Sequence, residues 1–264
     1  MINVVAIHSL NEDKETLAGT LASVLRSTVY EALSRLRVTG HGPVIVAVFA
    51  EEERAVQLAA ELQAAGFLTA VLTAGEIENE IRGLIAKMFS LGEHELRLNP
   101  GSGAGKGGSI GIPLPDIDLI LRGTGIVTGT DIVTEKKRSL NLGLAALTGG
   151  LMISKTTKTV REVITEEREG FINIYAGNFP TLVLRENTLV YESLGPELKH
   201  SRSANFNYLV AELRRRCPDA RYDERFLTRA GQATLLGPLL VPEKHLPVAT
   251  ALLSKVLRNK GQGE

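Results

Sequence analysis

Tryptophan is absent from this sequence, cysteine occurs once, and aromatic residues make up only 5% of the chain. The single thiol, Cys217, can form neither an internal disulfide nor a metal site of several cysteines, which is typical of a reducing compartment. Neighbouring arginines such as Arg216 favour a lowered pKa for this thiol, but no His or Asn is evidently placed to make it a nucleophile. With so few aromatic rings, stacking platforms for single-stranded nucleic acid would be sparse. We expect a cytoplasmic protein.

The sequence also lacks a net charge and a long apolar run. Thirty Lys and Arg residues balance thirty Asp and Glu residues, so no overall field attracts nucleic acid or a membrane. No segment approaches the roughly 18 continuous apolar residues of a membrane helix, and we expect no signal peptide. The charge is uneven, because residues 199–260 carry twelve Lys and Arg but five Asp and Glu. This basic third fits either an acidic partner or an ordinary solvated helix surface.

In the first 75 residues, short apolar runs alternate with segments whose apolar residues recur at helical spacing. Ile2 to Ile7, Pro43 to Phe49 and Leu68 to Leu72 are short, apolar runs, which predicts three buried strands. Between them, apolar residues recur at helical spacing, and two helices precede the second strand. A third helix, Glu51 to Ala65, follows that strand and is predicted to bury Leu58 and Leu62. The predicted order is β-α-α-β-α-β.

This order, with the segment Pro43 to Val48 and a helix ending in Leu62 to Phe67, resembles the C-terminal domain of the ribosomal stalk protein. The Clp protease adaptor shares that compact fold. The resemblance covers residues 1–74 and implies a small, non-catalytic interaction domain. The stalk domain binds translation factors through lysines of its second helix, whereas this chain has Tyr30 and Arg35 there. Factor binding is therefore not implied, and Tyr30 and Arg35 are candidates for contact with another protein.

Residues 84–218 show several strand-like runs followed by one amphipathic helix, from about Ser203 to Arg215. This order resembles a bacterial pleckstrin-homology-like domain, in which the final helix closes an open corner of a β-barrel. The segment Ile112 to Ile117 resembles the first strand of bacterial members. Arg214 and Arg215, near the end of the predicted helix, are further candidates for partner binding.

Three charged residues have the spacing of a PD-(D/E)xK nuclease site: Asp116 after a proline, then Glu135 and Lys137. In such nucleases the two carboxylates, on successive strands, hold a divalent cation, and the lysine stabilises the attacking hydroxide or the phosphate. The stretch from Gly123 to Thr130 would have to form the hairpin turn between the strands. The alternative is that Glu135 and Lys137 lie on a solvated strand end.

Lys155, Lys158 and Arg161 lie in a polar, threonine-rich segment that reads as a strand. Their basic face suits an anionic lipid headgroup or nucleic acid. An edge strand protected by charge has the same pattern without any function.

No cofactor is expected from the remaining motifs. The glycine-rich run Gly101 to Gly108 departs from a P-loop, because Gly107 replaces the Ser or Thr that holds magnesium and a strand follows instead of a helix. The five histidines show no ligand spacing. We interpret the run as a loop that joins two strands.

The sequence therefore predicts an α+β protein in three parts. Residues 1–75 form a stalk-domain-like module, residues 84–218 a β-rich, pleckstrin-homology-like module, and residues 219–264 a basic tail with a short helix. The expected function is that of a cytoplasmic adaptor without catalysis, whose partner is another protein. The alternatives are a metal-dependent nuclease and a module that binds anionic lipid surfaces.

Overall fold

The computed structural model describes residues 2–8, 14–36, 42–100, 108–140 and 154–259, and of residues 14–16, 127–140 and 154–167 it describes the backbone alone. The helices are α1 (Lys14–Leu25), α2 (Val29–Leu36), α3 (Glu52–Ala64), α4 (Ala74–Ile81), α5 (Arg202–Arg216), α6 (Arg229–Leu236) and α7 (Pro242–Asn259). The strands are β1 (Asn3–Ile7), β2 (Val44–Phe49), β3 (Thr69–Leu72), β4 (Leu84–Ala86), β5 (Met88–Leu91), β6 (Glu95–Asn99), β7 (Ile110–Pro113), β8 (Ile117–Leu140), β9 (Ser154–Ala176), β10 (Leu182–Arg185) and β11 (Arg221–Phe226). Short 3-10 helices cover Leu114–Asp116 and Glu192–Glu197. This mixture confirms the predicted α+β class.

The first three strands form an antiparallel sheet in the order β2-β1-β3. Central β1 is buried along its whole length, and its Val4 pairs with Val48 of β2 and with Leu72 of β3. Helix α3 buries Leu58 and Leu62, which lie four residues apart on one face. The predicted burial of both leucines and the predicted order of elements are confirmed.

The two remaining sheets lie between residues 84 and 226. One has the order β11-β8-β9-β10-β4, and the other is the antiparallel meander β5-β6-β7. In the five-stranded sheet, β10 pairs antiparallel with β9 but parallel with β4, and β11 pairs parallel with β8. The described strands thus belong to separate sheets and close no barrel, so the pleckstrin-homology-like resemblance stays a prediction.

The turn that the nuclease alternative requires between Gly123 and Thr130 is not formed, because β8 continues through this stretch as one strand. Gly123 instead allows neighbouring side chains to pack closely against β8. It lies opposite Phe226 in the pairing of β8 with β11, and a Cβ atom built there would be 2.5 Å from the ring of Phe171. Gly123 therefore leaves room for the Phe171 ring and for the Phe226 side chain.

Helix α4 was not among the predicted elements. It begins with a capping box, in which the Thr73 hydroxyl accepts from the backbone N–H of Glu76 and the Glu76 carboxylate accepts from the backbone N–H of Thr73. A threonine followed three residues later by glutamate is a sequence signal for a helix start. The signal for α4 was therefore present in the sequence.

Residues 219–264 were predicted to be a basic tail, and the structure corrects this prediction. Residues 221–259 comprise β11, α6 and α7, and helix α7 is 18 residues long. The helix packs into an apolar core because Val248, Ala249, Leu252, Leu253 and Val256 are all buried. A segment that buries this much apolar surface is part of the folded protein.

The same core joins the predicted parts of the chain. It contains Val4 of β1, Leu72 of β3, Leu121 of β8 and Phe226 of β11, in addition to the buried face of α7. By its contacts, the chain divides into one unit of residues 1–125 and 169–264 and a second unit of residues 126–168. The second unit contains the C-terminal part of β8 and the N-terminal part of β9. None of the described helices is long and apolar enough to cross a bilayer.

Candidate functional site

The residues of the predicted nuclease site are not placed on two successive strands. Asp116 is exposed at the end of the 3-10 helix that precedes β8. Glu135 and Lys137 lie on β8 itself, and their side chains are outside the described ones. A nuclease of this type needs its carboxylates on two neighbouring strands. The hairpin that would supply such a pair between residues 116 and 135 is not formed.

Tyr30 and Arg35, the partner-binding candidates of the first module, differ in exposure and in their contacts within the protein. Tyr30 on α2 is 78% exposed, and its neighbour Val29 is 55% exposed. The Arg35 guanidinium donates a 2.9 Å hydrogen bond to the carbonyl of Val46, which ties α2 to the edge strand β2. Arg35 therefore has a structural contact, whereas Tyr30 remains available to a partner.

The arginines at the end of α5 also have contacts within the protein. Arg215 forms a 2.8 Å ion pair with Glu212, and the Arg214 guanidinium lies over the Tyr222 ring, 4.8 Å from its centroid. Lys155, Lys158 and Arg161 lie on β9, and their side chains are outside the described ones. Their predicted roles stay predictions.

A cleft of about 1150 Å³ lies beside α4 and the C-terminal half of α7. Its other walls are the start of β8, the turn after β9 and the start of β11. Charged side chains of both signs line it in equal number: Glu76, Glu80, Asp118, Asp219, Arg82, Arg221, Lys255 and Arg258. We call this feature the charged cleft.

Glu80, near the end of α4, is the centre of a polar network in the charged cleft. Its Oε1 accepts hydrogen bonds from Asn173 (3.0 Å) and Tyr175 (2.6 Å), and its Oε2 accepts one from Thr181 (2.8 Å). Burial, and next the negative charge of Glu80, raise the pKa of Tyr175 well above its ordinary value. The phenol therefore keeps its proton and acts as a donor.

Two ion pairs connect α7 to the opposite walls. Lys255 donates to the Glu76 carboxylate and to the carbonyl of Val71, each at 2.6 Å. Burial by itself would raise the pKa of Glu76, but the hydrogen bond from Lys255 and that from the Thr73 backbone outweigh it, and the pKa is lowered. Glu76 therefore remains ionised at neutral pH.

The second pair joins Arg258 to Asp118. Arg258 donates to Asp118 Oδ2 at 2.9 Å and to the carbonyl of Gly177 at 2.8 Å. Nearby, Arg221 donates to the carbonyl of Leu257 at 2.6 Å, which places a second guanidinium beside the end of α7. Each guanidinium has five N–H donors, so both retain donors for a bound molecule.

The charged cleft also has uncharged groups on its walls. The amide side chains of Asn79, Asn178 and Asn259 line it, and all three residues are exposed. Phe179 is 37% exposed and stands beside Pro180 in the turn after β9. Amides offer both donors and acceptors, and Phe179 offers an apolar contact.

Three of the four carboxylates that line the charged cleft have partners within the protein. Glu80 accepts three hydrogen bonds, and Glu76 and Asp118 are each paired with a cation. Within the part of the chain that the structure describes, no group of three or more His, Cys, Asp or Glu could hold a metal ion.

Sequence reasoning missed the charged cleft because its partners are far apart in the chain. Lys255 and Glu76 are separated by 179 positions, and Arg258 and Asp118 by 140. Neither pair forms a local motif. A comparison of the chain with protein-family models, curated proteins and solved structures finds no match.

Proposed function

We propose that this protein is a non-catalytic adaptor that binds a peptide segment of another protein in the charged cleft. The observation that carries the proposal is the size and lining of that cleft. Its volume of about 1150 Å³ exceeds the roughly 300–1,000 Å³ of ordinary small-molecule pockets. The cytoplasmic location expected from the composition belongs to the same proposal.

The lining supports a peptide as the ligand. Asn79, Asn178 and Asn259 match the alternating N–H and C=O groups of an extended backbone. Charged groups of both signs suit a segment with mixed charge, and the half-exposed Phe179 suits one apolar side chain. The ion pairs of Lys255 and Arg258 hold the walls in place, which reduces the entropy lost on binding.

The test is a selection of peptides from a random display library on the full-length protein, followed by affinity measurements on the selected peptides by fluorescence polarisation. Arg221→Ser and Asn178→Ala change two exposed groups of the charged cleft without altering a core residue. Each is expected to weaken binding about tenfold, since charge-assisted and amide hydrogen bonds are lost.

The matched control is Arg97→Ser, which removes an exposed arginine of β6 that does not line the charged cleft. The control should bind as the unmodified protein does. The proposal fails if no peptide is selected, or if the selected peptides bind the Arg221→Ser and Asn178→Ala variants with unchanged affinity.

A further inference from the structure

A smaller pocket lies at β2, an edge strand of the sheet β2-β1-β3. Its volume of about 410 Å³ is within the roughly 300–1,000 Å³ of small-molecule sites. Nine of its eleven lining residues are apolar, among them Phe49 of β2, Leu58 of α3 and Leu239, which precedes α7. The other two are Arg26 and Arg35, and no acidic residue of the described chain lines it. We call this feature the β2 pocket.

A β-bulge in β2 positions Arg35 at the β2 pocket. The pairing of β2 with β1 passes directly from Ala47 to Ile45, so Val46 between them has no partner in β1. The carbonyl of Val46 accepts a 2.9 Å hydrogen bond from the Arg35 guanidinium. A guanidinium has five N–H donors, so Arg35 keeps further donors for a bound molecule.

Arg26 is held at the β2 pocket by a strained backbone. Its φ of 50° lies in the left-handed region that favours glycine. The N–H of Arg26 donates to the carbonyl of Ser23, and the N–H of Ser27 donates to that of Ala22 at 3.0 Å. This is the helix end that usually has glycine at the position of Arg26. Residues in such strained conformations cluster at ligand-binding sites.

We propose that the β2 pocket binds a small molecule with an aliphatic chain and one anionic head group. The apolar walls remove the chain from water. Arg26 and Arg35 donate charge-assisted hydrogen bonds to the head group, a carboxylate or a phosphate ester. Two cations with no acidic residue beside them in the lining favour an anion and disfavour a cation. The proposal goes beyond peptide binding and concerns a different site of the first unit.

A peptide strand fits the β2 pocket less well than a small molecule does. A strand added to β2 needs the backbone groups that β1 leaves unpaired, and one of them, the Val46 carbonyl, already accepts from Arg35. The bulge also interrupts the regular edge that strand addition requires. An aliphatic chain needs no backbone partner, because apolar contact alone holds it.

The experiment is isothermal titration calorimetry of the full-length protein with amphiphiles of equal chain length. Octanoate and octyl phosphate are anions, octan-1-ol is neutral, and octylamine is a cation. We expect saturable binding of an anion, about tenfold weaker binding of octanol, and none of octylamine. The tighter anion identifies the source of the head group, a fatty acid or a lipid phosphate. Hexanoate should bind about tenfold more weakly than octanoate, since each methylene contributes roughly three- to fourfold in affinity.

The variant Arg26→Gly separates binding from stability. It removes one guanidinium but introduces a residue that adopts a positive φ without strain. Binding of the anion should therefore fall about tenfold, while the melting temperature stays the same or rises. The control for the lost charge is Arg54→Ala, which changes an exposed arginine of α3 outside the β2 pocket and should bind normally.

A second pair of variants places a charge on the wall of the β2 pocket. Leu239 is 40% exposed, so its replacement leaves the buried core intact. Leu239→Glu should abolish binding of the anion by repulsion, whereas the neutral Leu239→Gln should retain more of it. Far-UV circular dichroism checks that both variants are folded.

Three results would overturn the proposal. They are octylamine binding as tightly as the anions, equal loss of binding in Arg26→Gly and Arg54→Ala, and no saturable binding of either anion. Arg221→Ser in the charged cleft should leave binding of the anion unchanged, and neither anion should displace a peptide from that cleft. The two proposals therefore stand or fall separately.

Discussion

At the scale of single residues, burial decides what the thiol of Cys217 can do. The residue follows α5 and is 5% exposed, packed in the core that contains Leu213 and Phe206. Burial raises the pKa of the thiol, and Arg216 opposes this effect only in part. The lowered pKa expected from the neighbouring arginine is therefore wrong, because desolvation outweighs the nearby positive charge.

We predict that Cys217 in the native protein reacts slowly with a water-soluble disulfide reagent at neutral pH. Both its low exposure and its raised pKa reduce the amount of accessible thiolate. The rate of labelling should still increase with pH above 9.0, the ordinary pKa of a thiol. It should rise sharply when the protein is denatured. A small free thiol is the control, and native labelling as fast as that control would contradict the prediction.

Glu80 shows a different case, in which a half-buried carboxylate is held by several hydrogen-bond donors. Asn173, Tyr175 and Thr181 come from β9 and the residue before β10, and all donate to this one carboxylate of α4. A carboxylate can be withdrawn from water when hydrogen bonds replace its hydration. The network thereby joins α4 to the five-stranded sheet and forms one wall of the charged cleft.

At the scale of elements, glycines that look alike in sequence have different roles. Gly19 lies in α1, with nothing within 4 Å of the position where a Cβ atom would lie. Gly123 lies in β8, where such an atom would meet the ring of Phe171 at 2.5 Å and would be closer still to Phe226. The first position has room for a side chain, and the second does not.

We predict opposite effects of alanine at these two positions. Gly123→Ala should destabilise the protein by about 1–3 kcal/mol, since an extra methyl group in a packed core forces its neighbours to shift. Gly19→Ala should stabilise it by about 0.5–1 kcal/mol, because alanine loses less backbone entropy in a helix. Urea denaturation of both variants measures the two changes. A Gly123→Ala variant as stable as the unmodified protein would show that β8 is not packed between Phe171 and Phe226.

At the scale of the whole molecule, the shared core determines how the first unit should unfold. The buried residues of this core come from strands of the first module, from β8 and β9 of the second, and from α6 and α7 of the supposed tail. Removing any one of these segments from the core would expose apolar surface of the others. Within the first unit, residues 1–75, 84–125 and 169–218 are therefore expected to unfold together.

We predict that Leu62→Ala, in α3, and Leu213→Ala, in α5, shift the same unfolding transition. Both leucines are fully buried, but they lie in two different apolar clusters, neither of which is the shared core. Each substitution should cost about 2–5 kcal/mol, the range for a buried leucine. Urea denaturation of the full-length chain followed by circular dichroism is the measurement. Two transitions, each shifted by only one of the variants, would instead show that the modules are independent.

Much of the local structure was determined by the sequence alone. Strands β1 to β3 follow from short apolar runs, and the helices between them and the amphipathic helix α5 follow from apolar residues three to four positions apart. The sequence offered Ser201 or Ser203 as the N-cap of α5, and the structure uses Ser201, whose hydroxyl accepts from the backbone N–H of Ala204. These features depend on neighbours within a few residues, and sequence records such neighbours directly.

Tertiary structure alone decided the rest. The charged cleft depends on pairs such as Lys255 with Glu76, whose members lie in different helices, and no spacing rule relates positions so far apart. The sequence allowed a turn at Gly123, and only the structure shows that the Phe171 ring and the Phe226 side chain lie against this position. The C-terminal segment was predicted to be a basic tail because its excess of basic residues can be counted along the sequence. Its burial, in contrast, depends on packing against β1, β3 and β8. Local patterns determine the elements, and the packing of distant elements determines the site.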